Sequence, residues 1–173
     1  MLLWSSPLLH TEAAMERAIP YAMFASLILV GLVAGIFLAT QLGQLRVQNT
    51  LDARDFTLVK HSFEVALGRV MPVLVIAAGV SLVPLVFLLR SWGSVRFIAV
   101  VLALLLWAGV IIATLVYNAP VNALAVEWNP EAPPANWEQL RDRWHRGQTI
   151  RTPLALAAFS AMAFAAVWPG TGR

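Results

Sequence analysis

An all-α integral membrane protein, a four-helix bundle with two additional interfacial helices in its long loops, is the fold class this sequence predicts. Three observations carry that prediction. Hydrophobic residues make up 60% of the 173 residues and charged residues only 12%, which leaves too little polar surface to hydrate a soluble domain of this size. Four stretches, 18–45, 70–89, 97–126 and 152–172, carry no charge, and about 20 apolar residues suffice to cross a hydrocarbon core. Basic residues are also distributed unevenly about those stretches. Arg46, Arg54, Lys60 and Arg69 fall in the first long loop, and Arg141, Arg143, Arg146 and Arg151 in the second, against Arg17, Arg90, Arg96 and Arg173 on the other side. That bias places both long loops in the cytoplasm and both termini outside.

The spans are expected at 20–42, 70–90, 97–117 and 152–169, within one membrane domain covering 1–173. The first is too long for a cleaved signal peptide, and its amino-terminal flank carries Glu12 and Glu16 beside Arg17. It presents Gly31, Gly35, Ala39 and Gly43 at four-residue spacing, a stripe that allows a neighbouring backbone to approach. Gln41, Gln44 and Gln48 follow at i, i+3 and i+7, facing either lipid headgroups or a polar pocket between helices.

In the first long loop Thr50 or Asp52 can cap a helix over 53–68, whose apolar residues Phe56, Val59, Phe63 and Leu67 repeat with helical periodicity. Pro84 should kink the second span. In the second long loop "NPEAPP" is a rigid break. Trp137, Leu140 and Trp144 then share one face of a helix over 136–147 that lies at the membrane interface. The fourth span is expected to start at Thr152, with Pro153 in its first turn.

Several polar residues need a role. Asn118 and Asn122 lie one turn apart near the end of the third span. Pro120 between them cannot donate to the Val116 carbonyl, which leaves an acceptor free near membrane depth. Asn118 could cap a new helix begun by Pro120, which accounts for Asn118 better than for Asn122. His61 shares a stripe with Thr57, Glu64 and Gly68, and is read either as part of a solvated face or as a base facing the bundle. Glu138, Asp142 and His145 follow at i, i+4 and i+7. His61, Glu64 and His145 are therefore the candidates for a metal site of the carboxylate–histidine kind. Arg151 is either an interfacial anchor or a cation placed to stabilise an oxyanion or enolate. The chain has no cysteine, which removes disulfides and thiolate chemistry. The net charge of +3 fits contact with anionic lipid, not nucleic acid. Eleven arginines against one lysine suggest a GC-rich bacterial genome, and hence a bacterial inner membrane.

The stretches "VAGIFLATQ", "DFTLV" with "RVMP", "YNAPVN" and "WHRGQTIRTPLALAAF" together resemble the anthrone-oxygenase-like family of small four-span membrane proteins. The resemblance spans roughly residues 25–165, and its most specific part is Asn118 and Asn122 followed by Trp144 and Arg151. It implies an oxidoreductase acting with O2 on a flat, apolar aromatic or polyketide-like substrate. In an anthrone, loss of a ring proton gives an aromatic, phenolate-like anion that reacts readily with oxygen. The enzyme then needs a base, donors for the anion and a dry pocket. In this reading His61 is the base, Asn118, Asn122 and Arg151 are donors, Trp144 is a stacking wall, and Gln41 and Gln44 contact the substrate. No flavin or nicotinamide fingerprint is present, so the cofactor is left open between none, a metal and haem. Two rival functions stand beside this one: a metal- or haem-dependent oxidoreductase, and a non-catalytic membrane subunit or small-molecule carrier. Partners beyond the bilayer and a small hydrophobic substrate, whether a second copy or a larger complex, are also left open.

Overall fold

The computed structural model describes residues 7–89 and 92–168, with side chains from residue 14 onward. Arg90 and Arg173, and the side chains of His10 and Glu12, lie outside the described residues. The helices are α1 (Pro7–Ala39), α2 (Leu45–Gln48), α3 (Ala53–Leu67), α4 (Val70–Leu88), α5 (Val95–Ala113), α6 (Ala119–Ala125) and α7 (Trp137–Val167). Two π-turns, Thr40–Gln44 and Thr114–Asn118, join α1 to α2 and α5 to α6 without a break. The described residues contain no strand, only an isolated bridge between Asn129 and Ala132. Four continuous helical units, Ala14–Gln48, Val70–Leu88, Val95–Ala125 and Trp137–Val167, are long and apolar enough to cross a membrane. The chain is an all-α, multi-pass membrane bundle.

The four units form a closed ring: α1 packs on α4 and α7, and α5 packs on α4 and α7. The core runs down the centre through Val33 and Phe37, Ala78 and Leu82, Ala103 and Trp107, and Ala158 and Met162, all buried. Small residues set the helix separations, as expected where lipid gives helices no hydrophobic incentive to associate. Gly79 admits the Trp107 ring, since a Cβ there would stand 2.9 Å from Trp107 Cδ1. The indole N–H donates to the Val75 carbonyl at 3.0 Å, so this buried donor is satisfied. Of the glycines in the α1 stripe, only Gly31 meets a neighbour, the Phe159 ring; Gly35 and Gly43 have no atom within 4 Å of an added Cβ. The stripe is thus one close approach, not a continuous groove.

Two boundaries and one helix face differ from expectation. The helix expected over 136–147 and the fourth span are one helix, α7, with Pro153 in its interior instead of its first turn. Its 31 residues measure about 46 Å at roughly 1.5 Å per residue, longer than a hydrocarbon core of about 30 Å. The helix therefore extends past the span and carries Trp137–Gly147 with it. Similarly, the third span continues through the π-turn to Ala125, so Asn118 does not open a new helix and makes no side-chain cap.

The third difference lies in α3. Asp52 caps it, accepting from the Asp55 amide at 2.9 Å. Its buried residues are Phe56, Thr57 and Lys60, while Leu58, Phe63, Val65 and Leu67 are exposed. An interfacial helix with polar groups inward and apolar groups outward suits a helix bedded in lipid against a polar interior. At its start, Phe56 packs against Trp128 and Trp137, with ring centroids 6.1 and 5.5 Å away. Exposed Arg54 also pairs with Glu131 at 2.7 Å. Both long loops therefore meet at one end of the bundle.

Candidate functional site

That end holds a cavity of about 760 Å³ lined by residues of α1, α3, α4, α5, α6 and α7 and both π-turns. Its walls are mostly apolar, including Phe37, Phe63, Met71, Val75, Ile111 and Val126. Its polar groups are Thr40, Gln44, Lys60, Glu64, Arg69, Thr114, Asn122, Trp144 and Arg151. The two π-turns flank it, and π-bulges recur at functional sites because they widen a helix and redirect its side chains.

The polar cluster centres on Asn122. Its Oδ1 accepts from Lys60 Nζ and from Trp144 Nε1, both at 2.8 Å. Two donors on one oxygen fix the amide's orientation. The Nδ2 group then has no protein partner among the described residues and is free to donate into the cavity. Lys60, only 1% exposed, also forms an ion pair with Glu64 one turn away, and its ammonium lies 4.5 Å from the centroid of the Trp144 ring. Burial pushes the Lys60 ammonium down to about 8, an effect partly opposed by the Glu64 carboxylate.

Arg151 is 8% exposed and is held by neighbours that carry no charge. Its Nε donates to Gln148 Oε1 at 2.7 Å, and the guanidinium lies 4.2 Å from the Phe37 ring centroid and 5.7 Å from that of Trp144. Gln148 in turn donates to the Phe37 carbonyl at 2.8 Å and to Thr152 Oγ1 at 3.0 Å, locking α7 to α1. Trp144 thus presents its ring to two cations and its N–H to Asn122. It lines the cavity and holds the cluster together.

Of the other candidate site residues from the sequence, Gln44 and Glu64 line the cavity, and Asn118, His61, Gln41 and His145 do not. Asn118 is fully buried behind it, donating through Nδ2 to the Trp144 carbonyl at 3.0 Å. The i, i+4 spacing aligned the two asparagines, but the π-turn ending at Asn118 rotates it onto α7 instead. His61 Nδ1 lies 3.0 Å from the Ala125 carbonyl; a carbonyl only accepts, so this nitrogen carries the proton. Gln41 Nε2 reaches Thr149 Oγ1 at 3.5 Å, outside the cavity. His145 Nε2 pairs with Gln48 Oε1 at 2.8 Å. His61, Glu64 and His145 therefore do not converge, and among the described residues no three His, Asp or Glu side chains are placed to hold a metal ion. The Val116 carbonyl that Pro120 leaves free is met by Arg143 Nη2 at 2.8 Å.

Lys60 is the site residue that sequence reasoning missed. The signal was present: it is the one lysine among eleven arginines, and it stands four residues before Glu64 on a helix.

The cluster depends on a close crossing of α7 over the second π-turn. A Cβ on Gly147 would stand 2.6 Å from Tyr117 Cβ and would also collide with Asn118 Oδ1. Gly147→Ala is expected to lower stability by about 1–3 kcal/mol, the usual cost of overpacking. Thermal unfolding in detergent checks this, and an unchanged midpoint would contradict the crossing.

No curated protein and no solved structure matches the chain. A family model described as "Anthrone oxygenase" matches residues 59–161, which takes in Lys60, Glu64, Asn122, Trp144 and Arg151, all five central members of the cluster. On that match, which covers more than half of the sequence, the chain belongs to the anthrone oxygenase family.

Proposed function

We propose that the protein is a membrane-bound oxygenase that uses O2 to convert an acidic ring methylene of a flat, apolar aromatic of the anthrone type into a carbonyl. The observation that carries this reading is the pairing of a largely apolar cavity with one buried polar cluster at its inner wall. Ionisable groups at membrane depth are costly and mark functional sites by default.

In this scheme a proton leaves the ring methylene for the Lys60–Glu64 pair. The resulting anion is stabilised by Arg151 and by the free Nδ2 of Asn122. The anion gives one electron to O2, and the two radicals combine to a hydroperoxide at the ring carbon. Loss of water then leaves the carbonyl, so CH2 and O2 become C=O and H2O. His61, which lies off the cavity, is not the base in this reading. Asn118 acts only by holding the backbone at Trp144.

Oxygen uptake by the purified protein with an anthrone, followed together with quinone absorbance, tests the proposal. Uptake well above that of empty micelles, falling when Asn122 is replaced, is the expected result. Uptake equal to empty micelles would overturn it.

The location that goes with this function is a bacterial inner membrane with both termini external. Because the chain has no cysteine, single-cysteine labels are free of background. Ser5→Cys should react with an impermeant maleimide on intact cells, and Pro130→Cys only after the membrane is opened. The reverse pattern would invert the topology.

A further inference from the structure

The cavity is walled by buried residues on one side and by exposed ones on the other. Apart from Arg69, the exposed lining residues are all apolar. Among them are Phe63 and Leu67 of α3, Pro72 and Ile76 of α4, Leu115 of the second π-turn and Val126 just after α6. A mouth facing water would leave this rim in contact with solvent, which disfavours apolar surface; a mouth facing lipid would not. The depth of the opening follows from α4. Its 19 residues measure about 28 Å at roughly 1.5 Å each, so α4 just crosses a hydrocarbon core of about 30 Å. Arg69, exposed immediately before α4, then stands at the headgroups. Ile76 lies about 10 Å deeper along the helix, within the hydrocarbon.

The aqueous side of the cavity is covered by α3. The first half of that helix is fastened to the second long loop and to α6. Phe56 packs on Trp128 and Trp137, Arg54 pairs with Glu131, Lys60 donates to Asn122, and His61 Nδ1 donates to the Ala125 carbonyl. Its last turn, Val65, Ala66 and Leu67, is exposed and apolar and ends at the opening. The helix is thus tied down toward water and bare toward lipid.

We propose that the cavity is loaded sideways from the hydrocarbon layer of the bilayer, between the α3–α4 turn on one side and the second π-turn with α6 on the other. A ligand then reaches the cluster around Asn122 without crossing water, and only compounds dissolved in the membrane gain entry. Aromatics carrying a sugar or a sulfonate are excluded whatever their ring system. The route rests on the rim and its depth; the identity of the ligand rests on the oxygenase reading.

Two photoreactive probes of one ring size test the route without turnover: an apolar aryl diazirine dissolved in the membrane, and its carboxylate, which is confined to water. Each is flashed with the full chain in nanodiscs, and carbene insertion is located by mass spectrometry. The apolar probe should insert at Phe37 and Val75, which are buried and line the cavity, as well as at Val80, which is exposed on α4 outside it. The carboxylate should label the second long loop and neither cavity residue. Ile76→Trp combined with Leu115→Trp, at two exposed rim positions, should abolish insertion at Phe37 and Val75 and leave Val80 labelled. Ile112→Trp, exposed on α5 away from the cavity, should change neither. Carboxylate insertion at Phe37, an apolar label confined to Val80, or cavity labelling that survives the paired tryptophans would each overturn the route. Should the paired variant fail to fold, the two probes on the parent chain still decide. Insertion at Phe37 from lipid, without oxygen uptake from an anthrone, keeps the route and removes the oxygenase. Uptake with Phe37 reached only from water does the opposite.

Discussion

Asn122→Ala is expected to reduce turnover by about 10²–10³-fold, the effect of removing one donor aimed at a developing oxyanion. The same change also removes the acceptor shared by Lys60 and Trp144, leaving the Trp144 N–H unpaired at about 1–3 kcal/mol and Lys60 with Glu64 alone. Loss of activity in that variant alone would thus mix two effects. Asn122→Asp separates them: a carboxylate can accept from both Lys60 and Trp144, but it offers no N–H to the cavity. It should remain folded, with a thermal midpoint at or above the parent's, and still lose turnover. Full activity in a well-folded Asn122→Asp would show that Nδ2 is not a donor to the reacting anion.

Glu64→Gln should be the most damaging single change to the fold. It leaves Lys60 and Arg151 as two buried cations without a carboxylate among the groups lining the cavity. Breaking one side of a buried pair costs about 3–5 kcal/mol, whereas removing both partners is often neutral. Lys60→Met with Glu64→Leu should therefore recover much of the stability and none of the activity. Lys60 adds a pH signature. Its folded-state value of about 8 lies below its ordinary 10.5, chiefly through burial. The unfolded chain then binds more protons than the folded one across that window, so stability should rise between about pH 8 and 10.5. The difference in melting midpoint between the parent and Lys60→Met isolates this contribution; a flat difference across the window would contradict the buried ammonium.

The fold was legible because charge-free stretches of spanning length leave a chain few alternatives in lipid. What escaped was continuity. Pro120 and Pro153 both read as helix boundaries, yet both lie inside helices, because neighbouring side chains and π-turns absorb the irregularity they create. Arg143 on the Val116 carbonyl is one such repair. The site was half legible for the same reason. Of the residues singled out in the sequence, Asn122, Trp144, Arg151 and Gln44 line the cavity. Asn118 was assigned by ideal helical spacing, and a π-turn shifts spacing by about one residue; His61 lies on unbroken α3, and its ring reaches the Ala125 carbonyl and not the cavity. Lys60 was read only as a topology charge, and the polar stripe was drawn through Thr57, His61 and Glu64. In lipid, apolar residues can face outward, and the stripe that turns to the interior is Thr57, Lys60 and Glu64.

The most direct test of the central claim is the fate of labelled oxygen. Purified protein given an anthrone under 18O2 in unlabelled water is expected to yield quinone carrying one 18O atom per molecule in the new carbonyl, with the second atom released as labelled water. Quinone formed at the rate seen in empty micelles, or formed by the protein with the new oxygen drawn from water, would contradict the account.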